Sequence, residues 1–372
     1  MTPIQLPPLS LAMIDPGSLA RGALLLALAA ALVWAGRRVR GGARFFMHGA
    51  ALLLLIRVVL VYNPWCWDAY AGYLGARDVG WRQRDVIRVE RDRFLEKPAS
   101  LDYLVVGSSQ ADAIFREYAA DHQELDVFAM AGLFPLDFVL YREYIAAYRP
   151  RVVLLHLSEF DMARVHSPRR AVMAPSQGWS LPGLLARLRA FPQGRDYDQA
   201  VLEMAVGEVF PEFKYGFVFR GLVDKGLGRK DALQEESPEP MLEGADTDPG
   251  ALDRQIAGLA RRIEPDSLEF NFFFLEEFLE FCADRGEQVV IIEGQYMPAA
   301  RAATDQRASI MVRDRLQTLA AAREGVGFIP RDAVFEFDDA QYVDVAHVEP
   351  EAGYEFTRRL LEYLGSQSLV FN

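Results

Sequence analysis

A serine hydroxyl is a poor nucleophile until a base removes its proton, and a histidine oriented by a carboxylate does this near neutral pH. Two short runs of the 372-residue chain hold these residue types. The first is Gly107-Ser108-Ser109, directly after the apolar run Tyr103–Val106 and directly before an amphipathic stretch starting at Gln110. A serine at such a strand-to-helix turn stands at the carboxyl end of a strand, where ligands bind in open parallel sheets. Its N–H lies at a helix N-terminus, where it helps to hold an oxyanion. Glycine before it lets the backbone bend closely. The second run is Asp344-Val345-Ala346-His347, followed by Gly353-Tyr354 and a helical pattern. Asp and His three residues apart on one turn can face the same way. Alone, the first run reads as a turn or helix cap and the second as a capping Asp beside a surface His. Together they point to Ser109 as nucleophile, His347 as base and Asp344 as the group that orients it.

Other residue types weigh in around these two runs. Ser108, His156, Glu159, Asp161 and Glu293 fall at or just past the ends of apolar runs and are candidate pocket groups. Each also has a plainer reading: a core histidine for His156, a cap for Glu159 and Asp161, a solvated strand end for Glu293. His166, beside Arg164, Arg169 and Arg170, suits an anionic substrate or a solvated loop. There is no CxxC, no His/Asp metal constellation and no GxxxxGK[ST] loop, so neither a metal nor a cofactor is expected. Cys66 and Cys282 read as one disulfide or as two unpaired thiols. A net charge of -12 repels nucleic-acid phosphates and argues against nucleic-acid binding.

The run LVVGSSQADAIF (104–115) resembles the first block of the SGNH (GDSL-type) hydrolases in its Gly-Ser-Ser variant, which implies Ser109 in the nucleophile place. YVDVAHVEPEAGYEF (342–356) is similar to their last block, with Asp344 and His347 in the acid and base places. FAMAGLFP (128–135) is similar to the second block, which implies Gly132 as an oxyanion donor beside the N–H of Ser109. VVLLHLSEFDM (152–162) departs from the third block: Phe160 stands where an asparagine donor is usual. The variant, with an amino-terminal membrane anchor, resembles proteins that assist O-acylation of cell-surface polymers, such as alginate acetylation proteins and the D-alanine teichoic-acid transfer protein. The resemblance implies a serine-dependent acyl esterase or O-acyltransferase acting on a surface polysaccharide or other envelope polymer, beside a membrane-bound O-acyltransferase partner. The alternative is a catalytically weak glycan-binding or scaffolding protein of the same fold.

The elements that must position these groups are legible as short β-branched runs alternating with amphipathic stretches. Strands are expected at 103–106, 127–129, 152–157, 289–292 and 326–329, and helices at about 110–120, 136–148, 268–284, 306–323 and 351–364. This alternation predicts a doubly wound parallel five-stranded α/β sheet of SGNH or flavodoxin-like type, spanning 101–372. A largely helical insertion at about 163–267 interrupts it, with an acidic loop at 231–250. The Phe-rich run from Phe270 to Phe281 reads as helix core. Residues 1–65 read as a membrane anchor of two transmembrane helices, about 19–36 and 45–64, with Arg57 in the second, and 66–100 as a neck. Arg37, Arg38, Arg40 and Arg44 between the spans place that link in the cytoplasm by the positive-inside rule. The main domain is then extracytoplasmic, periplasmic in a bacterial inner membrane. Tyr62, Trp65, Trp67 and Tyr70 suit an aromatic belt, and a cleaved signal peptide fits less well because arginines follow the first apolar run.

Overall fold

The computed structural model describes residues 13–74, 81–97, 101–163, 180–210, 214–216, 223, 251–260, 267–303 and 306–366. The chain divides into two compact units: Met1–Lys97 with Leu202–Pro240, and Pro98–Val201 with Met241–Asn372.

The first unit opens with two apolar helices. α1 (Pro16–Gly36) starts where the Asp15 carboxylate accepts the Ser18 N–H at 2.7 Å and Pro16 presets the first turn. α2 (Gly42–Leu60) begins after Gly41, whose φ of 72° is the left-handed conformation that glycine adopts freely. Both helices are long and apolar enough to cross a bilayer by length and composition. α2 starts before the expected 45–64 and ends four residues earlier, because the chain leaves the helix at Val61 and Pro64 opens α3 (Pro64–Leu74). Arg57 therefore lies in the last turn of α2. α4 (Trp81–Asp92) follows, and Ile14 pairs with Leu95 in an antiparallel bridge, so the start of α1 meets the chain just past α4. Trp67 departs from the expected aromatic belt. It is fully buried, donates its indole N–H to Val61 O at 2.9 Å and packs edge-on against Tyr215. The deeply buried Arg91 is neutralised by Asp68 at 2.9 Å.

The second unit is built on five strands: β1 (Leu101–Gly107), β2 (Leu125–Ala129), β3 (Pro150–Leu157), β4 (Gln288–Glu293) and β5 (Val326–Ile329). All pair in parallel, in the order β2-β1-β3-β4-β5. β1 and β3 are buried on nearly every residue, as strands covered on both faces must be, whereas β5 is an edge strand. Their helices are α5 (Ser109–Asp121), α6 (Pro135–Leu140), α7 (Arg142–Ala146), α8 (Glu159–Met162), α9 (Leu181–Leu188), α10 (Asp198–Val209), α11 (Ala251–Ala260), α12 (Ser267–Asp284), α13 (Pro298–Ala302), α14 (Gln306–Ala321) and α15 (Pro350–Ser366), with α10 running over the boundary between the two units. The helix expected over 136–148 is two short ones, interrupted at Tyr141 with φ -98° and ψ 7°. On α12, Phe270, Phe272, Phe274 and Phe278 are buried, as its apolar pattern requires. Cys66 and Cys282 are both free thiols. The acidic 231–250 loop and the His166 cluster lie outside the described residues.

Candidate active site

The register of the sheet brings the strand ends level. Gly107 pairs with Ala129 on one side and His156 on the other, and His156 pairs with Ile292. The turn after β1 therefore opens at the same edge as the turns after β2, β3 and β4. Gly107 is required there: a Cβ would lie 2.7 Å from Ala111 Cβ and 3.0 Å from His156 O. Ser108, extended at φ -78° and ψ -170°, is the N-cap of α5, and Ser109 is its first helical residue. The first-turn N–H groups of this 13-residue helix have no helical acceptor, so the turn is electropositive. Gly132 takes the left-handed φ of 62° in the turn after β2, which Met130 begins by donating its N–H to Gly107 O at 3.3 Å.

Asp344 and His347 sit on a tight loop closed at its base by the Tyr342–Val348 bridge. Glu349 N–H donates to Gln341 O and Val343 N–H to His347 O, both at 2.8 Å. Asp344 Oδ1 accepts the N–H groups of Ala346 at 2.8 Å and His347 at 2.9 Å, so the carboxylate folds the loop that carries it. α15 follows and lies hard against α5. A Cβ at Gly353 would stand 2.7 Å from Ile114 O and 2.8 Å from Ala113 O, and Thr357 Oγ1 donates to Ile114 O at 3.0 Å. That close approach joins two chain segments about 240 residues apart in sequence.

The three side chains meet. His347 Nε2 lies 2.9 Å from Ser109 Oγ, and His347 Nδ1 lies 2.8 Å from Asp344 Oδ2. A carboxylate only accepts, so Nδ1 carries the proton and Nε2 is left to accept from the serine hydroxyl. Burial works against the Asp344 charge. The hydrogen bond and charge of His347, with the Ala346 and His347 N–H groups, outweigh it and hold the carboxyl below its ordinary pKa. His347 is about a fifth exposed (21%), so its ring is reachable from solvent.

The remaining candidates are interior. His156 is 1% exposed, packs edge-on to Phe115, and burial pushes its imidazole down to about 4. Asp161 Oδ2 accepts from Ser158 N–H and Oγ–H at 3.0 and 2.7 Å, capping α8. Glu159 is buried and its pKa is raised by that burial, with Arg331 opposing. Glu293 is held in ion pairs. Its carboxylate is gripped by Arg313 Nε at 2.9 Å on both oxygens and accepts the Arg331 N–H at 3.1 Å, because a carboxylate 5% exposed at a strand end must be paired. Phe160 is fully buried, its ring 4.3 Å from that of Tyr296, and supplies no donor.

Two glutamines escaped the sequence reading. Gln110, 2% exposed, donates from Nε2 to Gln295 O at 3.0 Å and Ala346 O at 3.3 Å. The Gln295 amide holds the chain at Arg331, Phe335 and Phe337. Amides bonded to main-chain carbonyls leave no periodic signal, although a glutamine directly after a candidate nucleophile was a place to look. Two surface concavities among the described residues, about 570 Å³ along α14 and about 460 Å³ between α14 and β5, include none of Ser109, Asp344 and His347.

No family model and no curated protein matches the chain. Among solved structures it is similar to one described as "a putative platelet activating factor from Streptococcus pneumonia", at 9% identity over 76% of this chain and 92% of that one, with a TM-score of 0.39. A likeness at that level carries no argument about function.

Proposed function

We propose that the chain is a membrane-tethered serine acyl esterase or O-acyltransferase of the SGNH (GDSL-type) class, with a doubly wound sheet. It acts outside the cytoplasm on an acylated surface polysaccharide or other envelope polymer. The contact of His347 Nε2 with Ser109 Oγ at 2.9 Å, backed by Asp344 at 2.8 Å, carries this reading. His347 takes the hydroxyl proton as Ser109 Oγ attacks the ester carbonyl. The N–H groups of Ser109 and Gly132 hold the oxyanion, and the alkoxide departs with the proton from His347, leaving an acyl-serine. Water, or a hydroxyl of an acceptor polymer, then gives its proton to His347 and attacks the acyl carbon, which returns the serine. Asp344 keeps the imidazole in the tautomer that both steps need. A membrane-bound O-acyltransferase in the same membrane is the partner this role calls for.

The test is labelling of the full chain by a fluorophosphonate, which phosphonylates an activated serine. Wild type is expected to label and Ser109→Ala is not; equal labelling of the two removes Ser109 from the nucleophile place. One observation favours a second reading, a glycan-binding scaffold. With Phe160 in the core, the third turn offers no side-chain donor to an oxyanion. One such donor is worth about 10²- to 10³-fold in rate, which weakens catalysis without abolishing it. The scaffold reading predicts that Ser109→Ala leaves polymer acylation in cells unchanged.

A further inference from the structure

The geometry points to Gln110 as a positioning residue that locks the base onto the nucleophile, an inference that rests on the serine reading above. Ser109 and Gln110 are the first two residues of α5, so their side chains leave the helix about 100° apart. Ser109 meets the imidazole of His347, while Gln110 meets the backbone that carries that imidazole. Its Nε2 donates to Ala346 O at 3.3 Å, one residue before His347, and to Gln295 O at 3.0 Å. Both protons of one planar amide nitrogen are used, and both acceptors are carbonyls. The amide orientation is therefore unambiguous: the reverse would set Oε1 against two carbonyl oxygens. Gln110 Oε1 has no hydrogen-bond partner, so the side chain is held by its donors alone.

Among the described residues, the clamp ties α5 directly to the backbone of the loop, whereas the α5–α15 packing at Gly353 and Thr357 acts beyond it. The Asp344–His347 contact and the two N–H bonds to Asp344 Oδ1 lie within the loop and survive if the loop shifts as a body. Met297 N–H ties the loop at Val345 O, and Gln255 Oε1 accepts the Val345 N–H at 3.4 Å. Neither contact touches α5. At the start of α5, Gln110 ties the helix to the backbone of the loop and so helps to set the distance between Ser109 Oγ and His347 Nε2. Asparagine, one methylene shorter, would not span both carbonyls.

The experiment compares fluorophosphonate labelling rates of the full chain across pH for wild type, Ser109→Ala, Gln110→Met and Gln110→Glu. Gln110→Met keeps the length and removes the donors. Labelling is expected to slow by about 10- to 100-fold, the scale of a misplacement near 1 Å, with the pH midpoint of labelling unchanged because Asp344 still faces the imidazole. A rate within twofold of wild type overturns the inference. Gln110→Glu decides the matter if the methionine variant folds poorly. A protonated carboxyl donates to one carbonyl, whereas a carboxylate repels both, so the rate relative to wild type is expected to fall as pH rises. The titratable groups on the segments it joins, Asp344, His347, Glu293, Arg331 and Glu336, are common to both proteins and cancel in that ratio. A flat ratio overturns the clamp. Ser109→Ala separates the two readings: if it labels like wild type, the serine assignment fails by itself. If wild type does not label, hydrogen exchange of the 343–349 amides reads the clamp without chemistry. Faster exchange in Gln110→Met supports it and unchanged exchange overturns it.

Discussion

Asp344 holds a charge against its own burial, and the groups that sustain it are the ones the relay needs. The imidazole of His347 and two backbone N–H groups keep the carboxyl ionised below its ordinary range. Because the folded carboxyl binds its proton less tightly than the unfolded one, its stabilising contribution is whole above about pH 4 and is lost as pH falls through the folded value. Asp344→Asn separates its two jobs. The amide oxygen still accepts both loop N–H groups, so the melting temperature is expected to move little. The imidazole loses the partner that fixes its tautomer, and fluorophosphonate labelling is expected to fall by about 10⁴-fold. Comparable labelling would mean that Asp344 only shapes the loop. His156 gives a second prediction of opposite chemistry. Buried as the neutral ring with a pKa of about 4, it takes up a proton in the unfolded chain first. Stability is therefore lost as pH falls from about 6.5 toward 4, by about 3 kcal/mol at 1.4 kcal/mol per unit. His156 Nδ1 has no hydrogen-bond partner, so His156→Leu should flatten that slope in denaturant titrations; an unchanged slope would place the proton elsewhere. At this scale Ser109, Asp344 and His347 were legible because residue type and local context both mark them. The Arg313 grip on Glu293 was not, because only the sheet and α14 bring residues 20 apart in sequence together.

The Ser109–His347 contact depends on two helices that touch where one of them lacks a side chain. At Gly353 a methyl group would press on Ile114 O, Ala113 O and Ile114 Cα, all backbone atoms that cannot rotate away. Gly353→Ala therefore forces α15 off α5. Overpacking of this kind costs about 1–3 kcal/mol, and the displaced α15 carries the loop of His347 with it. A fall in unfolding free energy of that size is expected together with slower labelling. Full stability and full labelling would show that the helices can part without disturbing the relay. The β-branched runs marked all five strands, which the structure extends by at most three residues, because strands buried on both faces tolerate little else. The break at Tyr141 and the four-residue α8 were not legible. Periodicity needs several turns to register: the break falls at the buried Tyr141, and α8 is a single turn closed by the local Ser158–Asp161 cap.

On the scale of the whole molecule, the apolar surface of the first unit is what supports the proposed membrane anchor. Leu24 is 69% exposed, and Phe45 and Phe46 about 80%, on helices of 21 and 19 residues. Helices of that length rise about 30 Å, the thickness of a bilayer's hydrocarbon core. Exposed to water these faces would be an aggregation hazard; in lipid they are satisfied. The proposed topology rests on the link between them. Arg37, Arg38 and Arg40 precede α2 and Arg44 stands in its first turn, with no acidic residue among them, while the far ends of both helices meet the α3–α4 segment. The proposed arrangement keeps the arginine link in the cytoplasm and everything after α2 outside. With Cys66 and Cys282 replaced by serine, Val39→Cys in the link should resist a membrane-impermeant maleimide on intact cells and react only after permeabilisation. Asp102→Cys, at a half-exposed position near the start of β1, should react in both. The reverse pattern would put the Ser109 edge of the sheet in the cytoplasm, away from any surface polymer, and the acylation reading would have to find an intracellular ester. Reaction at both positions on intact cells would mean that α1 and α2 do not span, leaving their apolar faces to be covered by protein.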